Sequence, residues 1–153
     1  MTPGTRLALL LTLLLTAAFA LAACGGDSKE DFANDADEIC KEGEDKLDDV
    51  DRPSSTDEIP EYADETIEIA EDTKGELEDL DPPSEVEDDW NKYLDNVDEG
   101  IELIEDLGAA AERGDEEAVQ ELAQGDASDE LEEENEEIAD EIGLEQCGRS
   151  DDS

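Results

Sequence analysis

The chain has 153 residues, of which 52 are acidic and 9 are basic, so its formal net charge at pH 7 is −43. It contains no histidine, and Met1 is its only methionine. This composition excludes imidazole acid–base catalysis, Ser-His-Asp triads and the haem or di-iron sites that need His or Met ligands. So acidic a surface also repels nucleic acid and anionic lipid headgroups, and we expect no nucleic-acid partner.

An apolar run from Leu7 to Ala22 follows Arg6 and leads into the tetrapeptide Leu21-Ala22-Ala23-Cys24. The run has the length of a signal-peptide core, and small residues before a cysteine are not typical of a permanent membrane span. The tetrapeptide resembles the lipobox of bacterial lipoprotein signal peptides. That resemblance implies cleavage before Cys24, attachment of a diacylglycerol to its sulfur and acylation of its new amine. Two or three acyl chains hold a protein stably on a membrane.

Two other interpretations of this stretch stay open: an ordinary secretory signal that contains Cys24 by chance, or an uncleaved helix. In the lipoprotein interpretation, residues 1–23 are the signal peptide and residues 24–28 are the lipidated cysteine and a short tether. Residues 29–147 then form an acidic helical domain, and residues 148–153 form a disordered tail. We therefore expect a protein anchored by lipid to the extracytoplasmic face of the cell membrane.

The acidic residues are spread along the whole chain, and lysines are scarce. Loss of residues 1–23 would remove one basic residue and no acid, leaving 52 acidic against 8 basic residues and a charge of about −44. Such self-repulsion opposes a compact state, but salt shortens its reach from about 10 Å at 0.1 M to about 3 Å at 1 M. The composition resembles that of halophile proteins and predicts salty surroundings. The alternative is a surface that collects cations.

The first predicted helix begins at Ser28, where Asp31 three residues later gives a start like a capping box, and it ends before Arg52-Pro53. Its apolar positions recur every three or four residues, at Phe32, Ala36, Ile39, Cys40, Gly43, Leu47 and Val50.

The second helix is predicted from Ile59 to Leu80 and ends before Pro82-Pro83. Asp57 is its predicted N-cap, and Pro60 then lies in the first turn, where a missing N–H costs little. Its inner positions are Ile59, Tyr62, Ala63, Thr66, Ile67, Ala70, Thr73, Leu77 and Leu80.

The third helix should begin at a capping box formed by Ser84 and Glu87 and run to Arg113-Gly114. Its apolar stripe is the most regular in the chain, so we expect it to be the central helix. The stripe comprises Val86, Trp90, Tyr93, Leu94, Val97, Ile101, Ile104, Leu107 and Ala111. Trp90 and Tyr93 are predicted to pack in the core, with Tyr62 opposite them; a ligand pocket is the alternative.

A fourth helix is predicted after Asp115, its N-cap, with a kink or fraying near Gln124 to Ser128 and a left-handed stop at Gly143, after which Leu144 folds back. Its later inner positions include Asn135 and Glu134 beside Leu131, Ile138 and Ile142. Short connections between four helices predict an all-α fold, an antiparallel four-helix bundle.

Cys40 and Cys147 remain once Cys24 carries lipid, and an exported chain lies in an oxidising compartment. A disulfide between them would close a loop of more than a hundred residues and stabilise the fold by about 4–5 kcal/mol. The topology agrees, because the end of the fourth helix would return to the level where the first began. Two separate buried thiols are the alternative. A redox role is disfavoured, since neither cysteine has a Cys-x-x-Cys spacing or a positive flank.

The densest carboxylate run comprises Glu130, Glu132, Glu133, Glu134, Glu136 and Glu137. Such oxygens suit Ca²⁺ or Mg²⁺, but a solvated helix face is the simpler interpretation, and we predict no discrete metal site, no cofactor and no catalytic residue.

Taken whole, a lipobox followed by a helical domain with an early Cys40 and a late Cys147-Gly148 resembles the small uncharacterised acidic lipoproteins of actinobacteria. That resemblance implies no activity. We expect a non-catalytic helical module that binds an envelope protein or a small solute; the alternative is a structural polyanion that concentrates or buffers divalent cations at the cell surface.

Overall fold

Five α-helices make up the part of the chain that the computed structural model describes, residues 28–147, and this part contains no strand. The helices are α1 (Lys29–Asp48), α2 (Ile59–Glu78), α3 (Glu87–Glu112), α4 (Glu116–Ala123) and α5 (Asp126–Ile142), with a 3₁₀ turn at Thr56–Glu58. The predicted all-α helical bundle is confirmed, with α4 and α5 in the place of its fourth helix. The predicted signal peptide (1–23), the lipidation site Cys24 and the tail (148–153) lie outside the described residues. None of the helices in 28–147 is long and apolar enough to cross a bilayer.

Three helix boundaries follow the sequence signals. The Ser28 hydroxyl accepts a bond from the N–H of Asp31 at 3.2 Å and caps α1, and the Asp115 carboxylate caps α4 through the N–H of Ala118 at 3.2 Å. Gly143 ends α5 in the left-handed region at φ 90°, and the N–H of Leu144 donates to the carbonyl of Ala139 at 2.8 Å. Leu144 is buried, so the chain does fold back onto the last turn.

The predicted cap of the second helix is wrong. Asp57 lies inside the 3₁₀ turn, and the residue at the N-cap of α2 is Glu58, which makes no side-chain cap bond. The Glu58 carboxylate instead accepts bonds from the N–H and the hydroxyl of Ser54, at 2.7 and 2.8 Å. The loop before α2 is therefore held by its own side-chain bonds, and α2 begins with Pro60 in its first turn, as predicted.

The predicted capping box of the third helix is also wrong. The N–H of Val86 donates to the carbonyl of Pro83 at 2.9 Å, which places Ser84 within a separate turn. Val86 is the N-cap of α3 and makes no side-chain bond, and Glu87 is the first helical residue rather than the third. Pro82 and Pro83 lead into a turn over residues 83–86, so α3 begins only at Glu87.

The expected kink in the fourth helix is a complete break. Gln124 leaves the helix at φ −134°, and Gly125 is extended at φ −79° and ψ 152°, so α4 and α5 are separate helices. The hydroxyl of Ser128 donates to the carbonyl of Gly125 at 3.1 Å and helps to start α5.

The helix α3 is central and packs against α2, α4 and α5. It runs antiparallel to α2, because Ala63 near the start of α2 lies against Gly108 near the end of α3. Lys74 of α2 pairs with Asp98 of α3 at 3.2 Å. At the far side of the bundle, the ammonium of Lys29 donates to the carbonyl of Glu141 at 2.5 Å, so the end of α5 lies beside the start of α1. This cation also complements the negative end of the α5 dipole.

Large buried side chains concentrate at the end of the bundle where α1 begins and α5 ends. Phe32 meets Trp90 edge-on, with ring centroids 4.9 Å apart, and Trp90 stacks on Tyr93 at 5.5 Å. Leu77, Val86, Ile138, Ile142 and Leu144 complete this cluster with three alanines of α1 and α5. Towards the other end, small residues allow close helix approach: a Cβ on Gly108 would lie 3.0 Å from that of Ala63.

Candidate functional site

Cys40 of α1 and Cys147 form a disulfide, with their Cα atoms 5.2 Å apart across 107 residues of sequence. The predicted pairing is therefore confirmed, and the Cα separation is ordinary for a disulfide. The bond ties the segment after α5 to the middle of α1, where the Cys40 sulfur lies 4.0 Å from the hydroxyl of Tyr93.

Asp37 holds the same segment through its backbone. Its carboxylate accepts N–H bonds from Glu145 at 2.8 and 3.0 Å, from Gln146 at 2.7 Å and from Cys147 at 3.2 Å. Three successive N–H groups thus converge on one charged acceptor, an arrangement stronger than bonds between neutral groups. Asp37 was not predicted from the sequence, because one carboxylate among so many has no distinguishing pattern. Its place one helical turn before Cys40 was the available signal.

Tyr93 of α3 contacts both cysteines of the disulfide from the core side. Its hydroxyl donates to the carbonyl of Cys147 at 2.7 Å and lies 4.0 Å from the Cys40 sulfur. Burial raises the pKa of Tyr93 well above its ordinary value, and the negative charges of Asp37 and Glu44 act in the same direction. Core packing of Trp90 and Tyr93 is confirmed, since both are buried.

A groove between α1 and α2 opens beside the disulfide, with a volume of about 190 Å³. We call it the α1–α2 groove. Its lining is mostly apolar and comprises Cys40, Gly43, Glu44 and Leu47 of α1, Ala70, Thr73, Lys74 and Leu77 of α2, Tyr93 and Val97 of α3, and Cys147. Among the described residues, Leu47 is the one large hydrophobic side chain that is exposed, at 38%.

Lys74 is the cationic group of this groove, and its charge is compensated. Its ammonium donates to Glu78 at 2.5 Å and pairs with Asp98 at 3.2 Å, while its side chain is only 17% exposed. The hydrogen bond to Glu78, followed by that to Asp98, raises the pKa of Lys74. The ammonium therefore links α2 to α3 through Asp98, and its charge is not available to a ligand.

A second cavity, of about 420 Å³, lies between the loop after α1 and the start of α2. Tyr62 lines it together with Arg52 and Glu61. The prediction that Tyr62 lies opposite Trp90 and Tyr93 is not met, because the antiparallel pairing of α2 with α3 sets Ala63, the next residue, against Gly108. Bonds from Ser54 lower the pKa of the Glu58 carboxyl at the same cavity.

A third cavity, of about 500 Å³, follows from the break between α4 and α5 and is lined by Leu103, Ala118, Glu121, Leu122, Gly125 and Ala127. We call it the α3–α4 groove. The dense glutamate run lies beyond it on α5, and all six of its side chains are exposed. Asn135 is half-buried and Glu134 is exposed, so only the first takes the predicted inner position.

No cluster of three or more Cys, Asp or Glu side chains in residues 28–147 is arranged to hold a metal ion. The sulfurs of Cys40 and Cys147 are bonded to each other, and the Tyr93 hydroxyl donates to the Cys147 carbonyl. These groups therefore fix the segment after α5 against α1 and α3. The geometry of the α1–α2 groove suits binding of an apolar group.

Comparison of the chain with protein-family models, with curated proteins and with solved structures finds no match in any of the three.

Proposed function

We propose that this chain is a lipid-anchored, extracytoplasmic helical module that binds a component of the cell envelope without catalysis. The observation that carries the proposal is the disulfide between Cys40 and Cys147. Structural disulfides persist in oxidising compartments, which is where a chain that begins with a lipobox-like signal would be delivered. In this proposal the lipobox at Leu21-Ala22-Ala23-Cys24 directs export of the chain and provides the lipid anchor at Cys24.

The position of the anchor supports a module that stands on a membrane. Only three residues separate Cys24 from Ser28, the cap of α1. The bundle end next to the anchor is the one reinforced by the disulfide, by the Asp37 bonds and by the aromatic core. A short tether would keep the start of α1 close to the lipid, and the loop after α1 lies at the other end of that helix.

High salt is part of the proposal, because the described helices are covered with acidic side chains and few basic ones offset them. Of the 52 acidic residues, only Asp27, Asp151 and Asp152 lie outside residues 28–147. Circular dichroism at 0.1 M and 2 M KCl tests this point. We expect helicity to rise with salt as self-repulsion is screened; full helicity at 0.1 M would remove the need for a halophilic explanation.

Intact-mass spectrometry of protein extracted from its native membrane tests the anchor. We expect a mature chain beginning at Cys24 with the added mass of a diacylglycerol and an amide-linked acyl group. A Cys24→Ala chain, with every other residue unchanged, should lack both the cleavage and the lipid. An exported wild-type chain with an unmodified Cys24 would overturn the anchored module.

Chemical cross-linking in native membranes tests the binding role. We expect saturable capture of one envelope component by the lipidated wild-type protein. Capture that does not saturate would contradict a specific module.

A second candidate is a structural polyanion that concentrates or buffers divalent cations at the cell surface. The exposed carboxylates of α5, in the run Glu130 to Glu137, favour it. Titration calorimetry with Ca²⁺ in molar NaCl separates the candidates. Many weak sites of similar affinity would favour the polyanion, whereas negligible heat together with saturable envelope binding would favour the module.

A further inference from the structure

We propose that the α1–α2 groove is the docking site for a basic segment of a partner protein, which inserts one large apolar side chain between the two helices. This inference rests on the proposed binding function and assigns its surface and the chemistry of its partner. The described surface carries many exposed carboxylates, and the α1–α2 groove is an apolar concavity in that surface, beside Leu47, the one large hydrophobic side chain that is exposed in residues 28–147.

The groove lies beside the point where the two helices cross. Gly43 and Thr73 are in contact at that crossing, and the groove next to it is lined by the small side chain of Ala70 and by Tyr93 and Val97 of α3. Leu47 extends the apolar surface outwards at one end and is 38% exposed. The groove volume of about 190 Å³ suits one large apolar side chain rather than a whole helix face.

The charged groups around the groove determine the charge of the partner segment that can bind there. The ammonium of Lys74 is already paired with Glu78 and Asp98, so it does not repel an incoming cation. Glu44 lines the groove, and two exposed carboxylates directly follow lining residues in the sequence, Asp48 after Leu47 and Glu71 after Ala70. An acidic partner, or a second copy of this chain, would face like charge; flanking lysines or arginines would face opposite charge.

The test uses two synthetic heptapeptides with acetylated and amidated ends, Lys-Gly-Lys-Phe-Lys-Gly-Lys and the same peptide with Ala for Phe. Binding to the lipidated mature protein, held in nanodiscs of zwitterionic lipid at 0.5 M NaCl, is measured by calorimetry, with empty nanodiscs as background. Both peptides carry the same charge, so the ratio of their affinities isolates the apolar side chain. We expect the Phe peptide to bind about tenfold more tightly.

Three variants locate the binding, one of them a control. Ala70→Phe fills the α1–α2 groove and should reduce the tenfold ratio to about one. Ala118→Phe, the same substitution in the α3–α4 groove, should leave the ratio unchanged. Leu47→Asn removes apolar surface from an exposed position, where folding is not at risk, and should reduce the ratio several-fold.

Equal affinities for the two peptides on the wild-type protein would overturn the inference and indicate charge attraction alone. A Phe preference that survives both Ala70→Phe and Leu47→Asn would place the binding elsewhere and overturn it as well. Concentration-dependent sedimentation abolished by Leu47→Asn would assign the groove to a second copy, also against the proposal. Each of these failures is separate from failure of the proposed function, which is decided by the lipid mass and by saturable envelope binding.

Discussion

Gly43 of α1 and Thr73 of α2 pack so closely that a Cβ atom on Gly43 would lie 2.7 Å from the Thr73 hydroxyl oxygen and 2.9 Å from its methyl carbon. The Thr73 hydroxyl donates to the carbonyl of Ile69 at 2.8 Å, which fixes its rotamer. A glycine inside a helix normally costs stability. Here it allows the two helices to cross and forms part of the lining of the α1–α2 groove.

Gly43→Ala should therefore destabilise the protein by about 1–2 kcal/mol, since overpacking outweighs the gain in helix propensity. Gly75→Ala is the matched control, because a Cβ there meets nothing within 4 Å and the residue is also helical. That control should stabilise by about 0.5–1 kcal/mol. Urea unfolding in 2 M KCl, followed by far-UV circular dichroism, measures both.

The double variant Gly43→Ala with Thr73→Ala tests whether contact with the Thr73 side chain causes the loss of stability in Gly43→Ala. Removing the hydroxyl and the methyl group leaves the Thr73 Cβ position as the nearest contact, at 3.4 Å. We expect part of the lost stability to return. If Gly43→Ala were as stable as Gly75→Ala, the close crossing of α1 and α2 would be refuted.

The disulfide should account for a large share of the stability. Replacing both Cys40 and Cys147 by serine removes a bond that spans 107 residues, and the chain-entropy estimate of the loss is roughly 4–5 kcal/mol. Wild type treated with a thiol reductant in urea titrations should lose a similar amount, while the double serine variant should be insensitive to the reductant. Equal stability of oxidised and reduced wild type would show that the bond adds nothing.

Asp37→Ala should destabilise by about 1–3 kcal/mol, because the N–H groups of Glu145, Gln146 and Cys147 lose their charged acceptor. Asp35→Ala is the matched control: this exposed carboxylate lies half a turn away on the same helix. Amide hydrogen exchange gives a local readout, with faster exchange expected at those three N–H groups in Asp37→Ala alone. Unchanged protection there would contradict the role of Asp37.

The raised pKa of Tyr93 predicts a loss of stability at high pH. Below pH 10.0, the ordinary value for tyrosine, both the folded and the unfolded chain keep the proton. Above it the unfolded chain releases the proton while the buried hydroxyl keeps it, so unfolding becomes more favourable as the pH rises. Urea titrations between pH 8 and 11 should show a steeper decline for wild type than for Tyr93→Phe. Parallel declines would contradict the burial of this hydroxyl.

Local signals in the sequence were enough for much of the fold. The periodic apolar residues of α3, the hydroxyl of Ser28 and the glycine at 143 each depend on contacts within a few residues, and the structure bears out what they predicted. The two N-cap predictions that failed, at Asp57 and Ser84, are also local. In each, a short turn before the helix took up backbone bonds that the capping prediction had assigned to the helix itself.

Long-range geometry lies outside what such signals contain. Asp37 is the carboxylate that binds the N–H groups of the C-terminal segment. The register of α1 against that segment selects it from the many acidic residues. Asn96, which is buried and whose side-chain nitrogen has no partner among the described residues, could be recognised as internal only once α3 was packed. The α1–α2 groove likewise needed the crossing at Gly43.

The sequence by itself determined the helices, the helical class of the fold, the acidic surface and the pair of cysteines available for bonding, because periodicity, charge and residue type are properties of the chain alone. Only the tertiary structure decided which small residues meet, which carboxylate is used and where an apolar surface stays open. Those outcomes depend on how side chains from distant segments fill the space between helices, and sequence spacing does not fix that packing.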